Sequence, residues 1–160
     1  MDEYGRGPLF SIEKGVGVGM MNDPKDVMLI QFLLKAIMHS GKIFLANDTK
    51  FTPPQGVPTL SVTGTWDDTS KKYLSRWEIL LAEARAYWAY GKDPGTLYPG
   101  TVVPYYQGGK KIVAMNEMCV IMFGGGNHAR LKLPGDPLPT EAWKDLFYDP
   151  VYGPYRGGPS

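Results

Sequence analysis

The sequence predicts a mainly helical protein with long loops, on three observations. Two segments, Asp23 to Met38 and Asp68 to Tyr87, repeat apolar residues at helical spacing behind a clear capping residue. A third apolar run, Lys111 to Phe123, stops at Gly124-Gly125-Gly126. Between these runs Gly and Pro, 20 and 14 of 160 residues, punctuate the chain too densely for long strands.

The chain opens with a glycine-rich lead-in, and Lys14-Gly15-Val16-Gly17-Val18-Gly19 lacks both the Gly-Lys-Ser/Thr end of a phosphate loop and the dinucleotide fingerprint. It reads as a tight approach of backbone to the core. Asp23 then caps the first helix, Pro24 fits its first position, and Asp26 places a carboxylate at the positive helix end. Val27, Ile30, Leu34 and Ile37 form one apolar face, and Leu29, Phe32, Leu33 and Ala36 form a second. Only Gln31, Lys35 and His39 make a polar stripe, so this helix is expected to be central, its second face covered by the C-terminal half or by a partner subunit. Gly41 reads as a left-handed stop.

Residues 42–63 read as an extended loop with a short strand near Leu60 to Val62. Asp67 or Asp68 caps the second helix. Tyr73, Trp77, Leu80 and Ala84 line its inner face, while the basic Lys71, Lys72 and Arg76 are matched by Asp67, Asp68, Glu78 and Glu83, as on a solvated surface. Residues 90–109 return to loop chemistry, pinned by Tyr90, Tyr98, Tyr105 and Tyr106. Lys111 to Phe123 reads as a helix, because Asn116-Glu117 is a poor two-residue hairpin turn. A short helix is expected at Glu141 to Phe147, followed by a Pro-, Gly- and Tyr-rich tail without periodicity.

With 17 basic and 16 acidic residues the net charge is +1, which gives no global electrostatic case for nucleic acid or an anionic membrane. No apolar run is long enough for a membrane-spanning helix, and the N-terminus does not read as a secretory signal peptide. The expectation is therefore cytoplasmic synthesis, with release by another route or incorporation into a particle. The lone Cys119 sits in an apolar run as a small hydrophobe. Met20, Met115, Met118 and Met122 read as core packing, since no Met, Cys or His set clusters at ligand spacing.

Asp26-Val27, Ile30-Gln31 and Leu34 resemble the first helix of the peptidoglycan-binding-domain-like family, V-x-x-L-Q-x-x-L-N. Gly64, Trp66, Ser70, Tyr73-Leu74 and Trp77 resemble its second motif, G-x-F-G-x-x-T-x-x-A-V-x-x-F-Q, and the lead-in GVGMMNDPKDV is similar to the opening of one branch. The resemblance covers residues 15–82 and implies a small orthogonal helical bundle of that type, with a helical C-terminal extension. On that reading residues 1–89 form the core and residues 90–160 an extension packed on it. Lys35 replaces the family's Asn, Asp67 its second Gly, Thr63 the Asp that usually precedes Gly64, and Glu78 its Gln. These departures fall on loops and helix ends where a ligand would be met.

Such domains often accompany wall hydrolases, whose chemistry needs a catalytic set. His39 and His128 lie in different segments without a zinc-peptidase spacing, and Cys119 lacks the Ser-His-Gly-Cys context of wall transpeptidases. Nothing marks Glu117, Asp136, Glu141 or Asp145 as a desolvated carboxylate pair. The expectation is a non-catalytic module with no metal or cofactor, binding peptidoglycan glycan or stem peptide through Trp66, Asp67, Gln31 and Lys35. The alternative is a structural adaptor that docks onto other proteins in a phage tail, contractile injection or secretion assembly.

Overall fold

The computed structural model describes residues 9–10, 12–41, 43–44, 49–84, 99–104, 107, 109–123, 132–133, 136–137, 147–149 and 153–154. In chain order the elements are β1 (Leu9–Phe10), β2 (Val16–Gly17), α1 (Pro24–Met38), β3 (Ile43–Phe44), β4 (Thr49–Lys50), α2 (Asp68–Ala84), β5 (Thr101–Val102), α3 (Lys111–Phe123), β6 (Lys132–Leu133), β7 (Asp136–Pro137), β8 (Phe147–Asp149) and β9 (Gly153–Pro154). Helices dominate, and the short strands form one three-stranded antiparallel sheet, β1-β8-β9, and the antiparallel pairs β2-β5, β3-β4 and β6-β7. No helix among the described residues is long and apolar enough to cross a membrane.

α1 begins as its sequence dictates. The Asp23 carboxylate accepts from the Lys25 N–H at 3.2 Å, and Pro24 opens the first turn where no N–H is needed. Asp26 does more than face the positive helix end. It is fully buried, accepts from the backbone N–H groups of Glu13 (3.2 Å) and Lys14 (3.0 Å), and so docks the lead-in against α1. Burial pushes its carboxyl above the usual carboxylate range, against the pull of those two N–H groups.

Both apolar faces of α1 are buried, from Val27 through Met38. α1 packs against α2 and also against α3, so the extension brings a helix to the central one. Val102, Ile112, Ala114, Met115, Met118 and Cys119 join one hydrophobic cluster with α1, α2, Ile12, Phe51 and Leu60. Each large side chain buried there stabilises the fold by about 1.5–3 kcal/mol. Inside α3, Asn116 is buried and donates to the Ile112 carbonyl one turn back at 2.7 Å. The helical reading of this run is the one observed, since a polar residue can satisfy itself within its own helix.

The lead-in reads as a tight approach of backbone to the core and the segment before α3 as a loop; the two meet as strands, Val16 and Gly17 pairing with Val102 and Thr101. Gly17 has φ +121°, and a Cβ there would lie 2.1 Å from the Gly100 carbonyl oxygen, so only glycine lets these backbones meet. The strand expected at Leu60 to Val62 does not form. The segment after α1 instead makes the β3-β4 pair, and is then fixed by single buried anchors, Phe51 and Leu60, with half-buried and exposed residues between them. Gly41 leaves α1 with φ +69°, as its stop position requires. Residues 85–87, the expected last turn of the second helix, lie outside the described residues, as do Tyr90, Tyr98, Tyr105 and Tyr106 and residues 141–146 of the expected short helix. That helix's last residue, Phe147, is in β8, and the tail contributes β9 beside it.

Candidate functional site

The polar stripe of α1 is a seam against α2. Gln31, central on α1, is fully buried and spends both ends of its amide. Its Oε1 accepts from the backbone N–H of Thr63 (2.8 Å) and of Gly64 (2.9 Å). Its Nε2 lies within donating distance of the Thr65 carbonyl (2.8 Å), the Ser70 hydroxyl (2.9 Å) and the Thr63 hydroxyl (3.3 Å). One side chain thus fastens α1 to the Thr63-Gly64-Thr65 turn and to the first turn of α2. Gly64 fits that role through φ +87° and through closeness to α1, where a Cβ would lie 3.2 Å from the Pro24 carbonyl oxygen.

Two turns along α1, His39 Nε2 lies 2.9 Å from the Tyr73 hydroxyl, with the ring centroids 5.8 Å apart. From Gln31 to the cap residue His39 the seam advances about 12 Å along α1, but from Ser70 to Tyr73 only about 4.5 Å along α2. Lys35 is half-buried between Gln31 and His39 on the same stripe.

This geometry separates the four residues singled out as ligand contacts. Gln31 is not an exposed amide: it is interior, and its hydrogen-bonding capacity is used by the fold. The Asp67 carboxylate caps α2, accepting from the Ser70 N–H (2.8 Å) and hydroxyl (2.7 Å). Burial alone would raise its carboxyl, but the two Ser70 hydrogen bonds, with one from its own backbone N–H, outweigh it and hold the group below the usual carboxylate range. Asp67 nonetheless remains exposed, as a ligand contact requires. Trp66 is half-buried and packs on the core, with its indole N–H enclosed and, among the described residues, without an acceptor, as is that of Trp77. What faces outward here is the turn itself, with Thr63, Thr65 and Asp67 exposed beside half-buried Trp66.

A second polar centre was not foreseen. Glu78 was read as one of the carboxylates of a solvated face, but it is 8% exposed and pairs with buried Lys111 of α3. Its oxygens also accept from the Gly100 N–H at 3.2 and 3.1 Å, and Lys111 Nζ donates to the Thr101 carbonyl at 2.9 Å. The pair therefore ties α2 to α3 and to the backbone that forms β5. A signal did exist in the sequence: Glu78 adjoins Trp77 and follows Leu74 by one turn, on the apolar side of the helix.

The Cys119 thiol is fully buried and pushed up to about 12 by desolvation, so it stays protonated at neutral pH. Among the described residues no three His, Cys, Asp or Glu side chains cluster as metal ligands. The side chains of Glu117, His128, Asp136, Glu141 and Asp145 lie outside the described set. Compared with known proteins, the chain matches no protein-family model, no curated protein and no solved structure.

Proposed function

We propose that this chain is a non-catalytic binding module on a peptidoglycan-binding-like core, and that it recognises the bacterial cell wall. One observation carries the reading: Gln31 of the first motif and Gly64 and Ser70 of the second are joined to each other by hydrogen bonds. The residues behind the resemblance thus cooperate in one joint, as motif residues of a shared fold should. The wall-facing surface on this reading is the turn at residues 63–67 with the outer part of Trp66, extended by Lys35. A ring offers a sugar an apolar face, and the flanking hydroxyl and carboxylate groups fix its orientation.

Retention on purified cell-wall sacculi tests the proposal. The chain is expected in the pellet, with Trp66→Ala and Lys35→Ala lowering retention while far-UV circular dichroism keeps the helical signal. A chain that stays in the supernatant under conditions where a known wall-binding domain pellets would sink it.

A second reading, an adaptor that docks onto protein partners, is favoured by the loop after β2. Val18 and Met21 are 65% and 70% exposed there. The loop that presents them is tied at its base: Asn22 bonds both the N–H and the carbonyl of Gly17 (2.7 and 3.0 Å), and Val18 N–H donates to Gly100. Ordered presentation of large apolar side chains lowers the entropy cost of docking. Co-purification in a large particle, lost on Met21→Ser and accompanied by no retention on sacculi, would select this reading.

A further inference from the structure

The Tyr73 side chain is fully buried, so its hydroxyl proton cannot turn to water and needs an acceptor inside the protein. Among the described residues that acceptor is His39 Nε2, at 2.9 Å. The arrangement that satisfies Tyr73 is therefore a neutral imidazole with its proton on Nδ1 and Nε2 free to accept. Adding a proton turns both ring nitrogens into donors and strands the Tyr73 O–H in the core.

Of the charges around the contact, that of Lys35 acts in the same direction. On α1, Lys35 sits one turn before His39 on the same stripe. On α2, Tyr73 is flanked by Lys72, which is engaged by Asp68 at 3.0 Å, and by Arg76, which donates to Thr52 at 3.2 Å; β4 adds the exposed Lys50. Arg76 thus moors the chain just beyond β4 to the same stretch of α2 that holds the end of α1. Burial and the Lys35 charge hold the imidazole below its ordinary value of 6.5.

We propose that the His39–Tyr73 contact is an acid-sensitive latch: protonation of His39 releases the last turn of α1 and residues 39–41 from α2, while the Gln31 joint stays closed. The sign follows from linkage. The folded chain binds this proton less readily than the unfolded one, so the latch contributes fully above the ordinary imidazole value and is lost as pH falls through the lowered one.

Amide hydrogen exchange tests it, because His39 N–H bonds to the Lys35 carbonyl and Ser40 N–H to that of Ile37, whereas Val27 N–H reports the far end of the helix. Between about pH 7.5 and about pH 5, protection factors at His39 and Ser40 are expected to fall several-fold while that of Val27 holds. In His39→Gln, whose amide oxygen still accepts but cannot be protonated, the fall should vanish. In Tyr73→Phe, which has no hydroxyl to strand, the His39 imidazole should titrate closer to its ordinary value by NMR. An equal fall in His39→Gln, a uniform fall that includes Val27, or an unmoved His39 titration in Tyr73→Phe would each overturn the latch.

Discussion

Replacing Gln31 with leucine is expected to cost about 3 kcal/mol of folding stability, although leucine is apolar and nearly the same size. The substitution leaves the buried Gly64 N–H without its acceptor, at about 1–3 kcal/mol, and takes from the Ser70 hydroxyl oxygen the amide it accepts from, although that hydroxyl still donates to Asp67. Thr63 and Thr65 lie on exposed residues, so water recovers part of what they lose. Gln31→Glu sharpens the test. It keeps acceptors for the two N–H groups but removes the donor to Thr65 and Ser70, and it buries a charge near the Asp67 carboxylate, so it should be at least as damaging at neutral pH and improve on acidification. Urea unfolding followed by tryptophan fluorescence measures both. A loss under about 1 kcal/mol for leucine would mean that the joint is not what holds α1 to the turn.

Lys111→Met is expected to cost about 3–5 kcal/mol, because it leaves the Glu78 carboxylate inside the protein without its cation. Adding Glu78→Gln should restore most of the loss, since the glutamine oxygen still accepts from Gly100 and no isolated charge remains. A double-mutant cycle therefore separates the cost of a stranded charge from the net worth of the pair. Equal damage in the single and double variants would point to packing by the lysine stem instead.

The helices were legible because their signals are local. Asp23, Pro24 and Gly41 mark the bounds of α1 within a few residues, and the Asn116-Glu117 dipeptide argued against a hairpin in α3 without reference to anything distant. The short strand expected at Leu60 to Val62 is absent because Leu60 is a single anchor and not part of an alternating strand. The site was legible only in part. A glutamine on a polar stripe looks solvent-facing until it is known which helix lies across it, and its partners stand 32–39 positions away. Glu78 was placed with the surface carboxylates for the same reason: its partner lies 33 positions downstream on a helix whose placement the sequence does not specify.

The β2–β5 ladder has a consequence for the order of folding. The Gln31–Ser70 contact closes a loop of 39 residues, whereas Val16 and Val102 close one more than twice as long. The longer closure costs about 0.7 kcal/mol more in chain entropy and has only two residue pairs to offset it. Contacts of that kind are expected to form late, which places the α1–α2 joint in the folding nucleus and the ladder in the final annealing step as a prediction. Gly17→Ala should then accelerate unfolding and leave the refolding rate almost unchanged, while Gln31→Leu slows refolding; stopped-flow measurements giving the reverse pattern would place the ladder first.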